Sequence, residues 1–112
     1  MNANEYQKLA LRTEHGTTDE QSRLLHGLMG LNGESGEALE LLKKHMFQGH
    51  WFDKYHMAKE LGDIAWYLAV AADAIGFTLE DIFVMNVEKI EGRYPSALFD
   101  AEKSINRKEG DI

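Results

Sequence analysis

The chain holds 112 residues, of which 44% are hydrophobic and 28% charged, which suits one compact domain with a modest core and excludes a two-domain enzyme, a disordered tail and a fibrous repeat. Twelve Lys and Arg against nineteen Asp and Glu give a net charge of −7, which excludes a protein that blankets nucleic-acid phosphates with basic side chains; an anionic ligand must bring a cation, most simply a divalent metal on the surplus carboxylates. The absence of cysteine excludes disulfides, Cys-type zinc sites and thiol catalysis.

Helical periodicity runs through the chain and the one proline is Pro95, so an all-α fold is expected. A first helix is expected over residues 4–13, stopped by Glu14-His15-Gly16-Thr17. A long second helix is expected to begin at Thr17 or Thr18, because Thr17-x-x-Glu20 and Thr18-x-x-Gln21 both fit a capping box, and to run to Met46 before Gln48-Gly49. Its core stripe is expected to be Leu24, Leu28, Leu31, Ala38, Leu39, Leu42 and Met46. Gly27, Gly30, Gly33 and Gly36 each weaken a helix, so their clustering suggests close packing or a bend.

Asp53 caps an expected third helix that runs to Ile75, with Gly76 as its left-handed stop. Thr78 and Asp81 start a fourth helix through Glu91, ended by Gly92 and Pro95. Residues 96–104 add a short fifth helix, so residues 1–104 form a single helical domain and residues 105–112 a polar, frayed tail. Within the third helix, Ile64 to Ala72 is apolar almost all round, which points to burial by other copies of the chain, or to a central helix in a monomeric bundle. That run is far short of the roughly 20 residues that span a bilayer. Residues 1–5 have no signal-peptide character, so a cytoplasmic protein without a membrane partner is expected.

Glu34 and Glu37 share one helix face, and Glu60 and Asp63 another. By projection Glu34 lies about 90° and Glu60 about 60° from the centre of its apolar arc, so both pairs border the packed side and can meet across an antiparallel hairpin. A lone E-x-x-E is ordinarily a pair of solvated acids. Four acids beside one core repel each other unless a cation offsets them, and Mg²⁺ suits such oxygen donors. No Glu is followed by His three residues on, and no H-E-x-x-H occurs, which excludes the di-iron and zincin patterns. The histidines read as surface or packing residues, with His26 and His56 projecting toward the acidic borders. On the fourth helix Asn86, Lys89 and Arg93 form one polar, cationic stripe, followed by Tyr94-Pro95. Tyr67, four residues after Asp63, and Trp51, Phe52 and Tyr55 near the inter-helix loop are candidates for holding a base.

The order Glu34-Ser35-Gly36-Glu37, a gap of twenty-two residues, Glu60-Leu61-Gly62-Asp63, and then Lys89-x-x-x-Arg93-Tyr94-Pro95 resembles the MazG-type all-α nucleoside triphosphate pyrophosphohydrolases. The resemblance covers roughly residues 24–95 and implies a four- to five-helix bundle packed as a homodimer or homotetramer. It implies hydrolysis of a nucleoside triphosphate, with deoxyribonucleotides and non-standard nucleotides among the candidates, to monophosphate and pyrophosphate in nucleotide-pool housecleaning. Glu34, Glu37, Glu60 and Asp63 would be the catalytic metal ligands for Mg²⁺, with Mn²⁺ as a substitute; Lys89 and Arg93 would contact phosphate and Asn86 the nucleotide. Many relatives carry a further acid where this chain has Gly33, which leaves open the number of metal ions and the general base. A non-catalytic acidic interaction module, or a regulatory protein that binds nucleotide without turnover, is the alternative; only an enzyme would release pyrophosphate.

Overall fold

The computed structural model describes residues 1–16, 18–96, 98–107 and 111. It contains α1 (Ala3–Leu11), α2 (Glu20–Gln48), α3 (Lys54–Ala74), α4 (Leu79–Arg93) and α5 (Ala101–Ile105), with no strand among the described residues. The chain divides into two compact units, Met1–Leu79 and Glu80–Ile112.

In the first unit α3 is the central helix, packed against both α1 and α2. Ala69, Val70, Ala71 and Ala72, the last four residues of the apolar run, are buried within one chain, while Ile64 to Leu68 are half-buried. Small side chains are what allow this packing. A Cβ added at Gly27 would stand 2.9 Å from the Cβ of Ala71, and one added at Gly30 would meet the Tyr67 ring. Gly33 and Gly36 serve no such approach, since an added Cβ there meets nothing within 4 Å.

The α2 face that meets this core differs from the expected one. It runs along Leu24, Gly27, Gly30, Leu31, Glu34, Ala38 and Leu41, all buried or half-buried, so Leu24, Leu31 and Ala38 of the expected stripe are covered, whereas Leu28, Leu39, Leu42 and Met46 are exposed. The shift of the mean direction is roughly 70° about the helix axis at 100° per residue. The projection follows the largest apolar side chains, while two backbones approach most closely where the side chains are smallest. Leucines on the neighbouring face are therefore left uncovered in the single chain.

The ends of the helices follow local chemistry. Asn2 caps α1 by accepting from the Glu5 N–H, and Asp53 caps α3 by accepting from the Tyr55 and His56 N–H groups. The cap of α2 is Asp19, whose carboxylate accepts from the Ser22 N–H at 3.0 Å, rather than Thr18; the expected Thr17 cap lies outside the described residues. Gly49 at φ 71° and Gly76 at φ 83° stop α2 and α3 in the left-handed region. The helix α4 continues two residues past Glu91, through Gly92 to Arg93. The fifth helix starts at Ala101 under an Asp100 cap, later than expected from residue 96; Ala97 and, from the expected tail, residues 108–110 and 112 lie outside the described residues.

Two polar side chains that the periodicity does not announce tie the first unit together. Gln7 is only 5% exposed; its amide donates to the carbonyls of Ala69 and Phe77, and its oxygen accepts from the Leu79 N–H at 3.0 Å. Arg23 donates two bonds to Glu14, at 3.0 and 2.8 Å, and one to Asp73 at 2.6 Å. These bonds pin the loops at that end of the α2–α3 pair.

Candidate functional site

The hairpin between α2 and α3 is short because Gly49 turns the chain and Asp53 starts α3 four residues later. It brings Glu34, Glu37 and Glu60 together, with Asp63 outside that cluster. One carboxylate oxygen from each of Glu34, Glu37 and Glu60 can be chosen so that all three lie within 4.8 Å of one another. Glu34 sits on the helix-contact face itself, between Gly30 and Ala38, rather than at its border. Asp63, exposed, lines an open cavity of about 360 Å³ with Glu34, Trp66 and Tyr67.

The electrostatics of this cluster are strained. The Oε2 atoms of Glu34 and Glu60 are both buried without a hydrogen-bond partner. The other oxygen of Glu60, Oε1, lies 3.3 Å from His56 Nε2. The carboxyl of Glu34 is pushed up to about 7, first by hydrogen bonding to Glu60, then by burial, then by the negative charges of Glu37, Asp63 and Glu60. Acids held this close favour a protonated carboxyl at Glu34 in the metal-free cluster. The Tyr6 phenol on α1 is also raised, by burial first and by the charge of Asp63 second. A divalent cation does the same work as that proton. The donors are hard carboxylate oxygens, two of them buried and unpaired, a set that fits Mg²⁺ or Mn²⁺ and offers nothing to a thiophilic metal.

Around the acids stand aromatic rings. His26 meets the Trp66 and Tyr67 rings edge-on at 6.3 and 5.7 Å. The Trp66 indole N–H donates to Ala10 O and to Thr13 Oγ1, both at 3.0 Å, which fixes its ring against α1 while the same side chain lines the cavity. Trp51 and Tyr55 are fully exposed and Phe52 stacks obliquely on His45. None of these three lines the cavity beside Glu34 and Asp63.

The cationic stripe belongs to the second unit. Asn86 and Lys89 are exposed on α4, and Arg93 is its last residue. The Arg93 guanidinium donates from Nε and Nη2 to the two carboxylate oxygens of Asp111, at 2.9 and 2.8 Å. Sequence reasoning passed over Tyr6 and Asp111 and weighed Trp66 chiefly as a packing residue. Trp66 carries a usable signal, standing three residues after Asp63 on the same helix face; Tyr6 and Asp111 come from distant segments and carry none.

The sequence profile of the MazG nucleotide pyrophosphohydrolase domain matches residues 23–98, a span that contains both acidic pairs and the α4 stripe. The chain belongs to the MazG family. Its members are nucleotide pyrophosphohydrolases that typically use Mg²⁺, and the Glu34, Glu37 and Glu60 cluster of this MazG domain could bind such an ion. No curated protein and no solved structure matches the chain. No helix of the described residues is long and apolar enough to cross a membrane.

Proposed function

We propose that this MazG-family protein hydrolyses a nucleoside triphosphate to the monophosphate and pyrophosphate, with deoxyribonucleoside and non-standard triphosphates as candidate substrates. The observation that carries the reading is the pair of buried, unpartnered oxygens of Glu34 and Glu60 inside an acidic cluster of a MazG domain. Glu34, Glu37, Glu60 and Asp63 would hold Mg²⁺, or Mn²⁺ in its place. When bound, the ion neutralises phosphate charge and polarises water.

The protein's own groups do the rest. Glu34, whose carboxyl is pushed up to about 7 beside the other acids, would take the proton of the attacking water once it is ionised. Glu60 is steadied through Oε1 by His56, which leaves Oε2 buried and without a partner. Lys89 and Arg93 hold phosphate oxygens and Asn86 the phosphate or sugar, while Tyr67, braced by Trp66, receives the nucleoside. The chain works as a homodimer or homotetramer. A row of exposed apolar residues on α2, Leu25, Leu28, Leu39, Leu42 and Met46, supports this assembly, since such a face is ordinarily covered.

The test is a panel of ribo- and deoxyribonucleoside triphosphates with Mg²⁺, scored by ion chromatography. Monophosphate and pyrophosphate in equal amounts support the reading; no pyrophosphate from any substrate refutes it. Light scattering that returns a monomer at micromolar concentration would refute the assembly.

A further inference from the structure

We propose that Asp111 is a built-in stand-in for substrate phosphate, holding Arg93 closed until a polyphosphate displaces it. The inference rests on the reading above that Arg93 contacts phosphate, and it adds a regulatory device to it.

The geometry is that of an anion site already filled. Guanidinium recognises carboxylate and phosphate through the same fork, two parallel N–H groups on one edge. In Arg93 that edge, Nε with Nη2, is fully engaged by Oδ2 and Oδ1 of Asp111. The pair is shielded, with the Arg93 side chain 16% and the Asp111 side chain 1% exposed. A carboxylate so enclosed must be held in its charged form, and the surroundings do this: Arg93 first, then the charges of Arg107 and Lys89, hold Asp111 below the usual carboxylate range. Lys89 lies one helical turn before Arg93 on the α4 stripe. Arg93 is the cation in contact with Asp111, Lys89 and Arg107 add to the field that favours its charge, and two of the three are the residues assigned to phosphate.

A triphosphate exchanges one charge-assisted pair for another at Arg93 and brings more negative charge than one carboxylate. The exchange is thus reversible, and Asp111 lowers the affinity for every phosphate ligand by the fraction of molecules in which it occupies the fork. Ligands with little charge, such as inorganic phosphate, are the ones it excludes.

The experiment uses the full chain and inorganic tripolyphosphate with excess Mg²⁺, followed by isothermal titration calorimetry. Asp111→Asn should bind tripolyphosphate about tenfold more tightly than the parent, Arg93→Gln should bind more weakly, and the double variant should match Arg93→Gln. If Asp111→Asn binds equally or less tightly while Arg93→Gln is impaired, the stand-in role is overturned and the phosphate reading of Arg93 survives. If Arg93→Gln binds as well as the parent, both the stand-in role and the Arg93 assignment fall, whatever the hydrolysis panel shows. Should Asp111→Asn fail to fold, NMR of the unaltered protein decides. The Asp111 backbone amide should move to a random-coil position as tripolyphosphate saturates the protein, and an unmoved resonance at saturation overturns the proposal.

Discussion

Replacing Gly27 with Ala tests whether the close approach of α2 to α3 sets the spacing of the acidic cluster. The new methyl would lie 2.9 Å from Ala71 Cβ and 3.0 Å from the Ala71 backbone nitrogen, against about 3.5–4.0 Å for an unstrained carbon contact. The nitrogen belongs to the central helix and cannot rotate away, so the helices must part by several tenths of an ångström. Overpacking of this kind costs about 1–3 kcal/mol, and the gain in helix propensity from Gly to Ala returns about 1 kcal/mol. Gly33→Ala is the matched control, because it earns the same propensity on the same helix and meets nothing within 4 Å. In urea denaturation the control should be more stable than the parent by up to about 1 kcal/mol, and Gly27→Ala should fall below the control by about 1–3 kcal/mol. Glu34 lies seven residues on, along the same contact face, so Gly27→Ala should also weaken the thermal stabilisation given by Mg²⁺. Equal stability of the two variants would refute the close-approach account, and full Mg²⁺ response in a destabilised Gly27→Ala would sever it from the acidic site.

Three further outcomes follow from the site and its supports. With Glu34 raised from 4.5 to about 7 in the folded, metal-free protein, the folded state binds the proton more tightly than the unfolded one. The resulting stability is complete below pH about 4.5 and is lost as pH rises through about 7; melting curves of the chelated protein should show this fall and Glu34→Gln should flatten it, while an unchanged slope in the variant would contradict the raised Glu34 carboxyl. Glu60→Gln should abolish hydrolysis while leaving the metal-free protein at least as stable as the parent above pH 7, because one like charge is removed; a lower melting temperature there would mark Glu60 as a structural group. Gln7→Leu should cost about 1–3 kcal/mol in denaturant unfolding, since it leaves the Leu79 N–H buried without its acceptor, and a neutral result would show that water or a shifted backbone replaces the bond.

Much of the first unit was legible in the chain. Asp53 and Gly76 mark the limits of α3 through interactions with their immediate neighbours, which is why a cap and a left-handed stop can be read locally. The spacing of Glu34 with Glu37 and of Glu60 with Asp63 likewise follows from helical period alone. The α2 cap shows the limit even of local reading: Thr18 and Asp19 both suit the role, and only the backbone at Asp19, at φ −81° and ψ 150°, selects between them.

What the residues determined by themselves is the helical class, the charge sign of the site and the oxygen character of its donors, since each depends on residue type and on neighbours within a turn. Tertiary structure decided the rest: which face of α2 is covered, that Glu34 points into the helix contact, that Trp66 is anchored by Ala10 and Thr13, and that Asp111 occupies Arg93. Each of these joins segments far apart in the chain, and the choice among them turns on how closely two backbones can approach. Gly27 beside Ala71 settles that approach, a property of the pair that neither residue's own surroundings in sequence express.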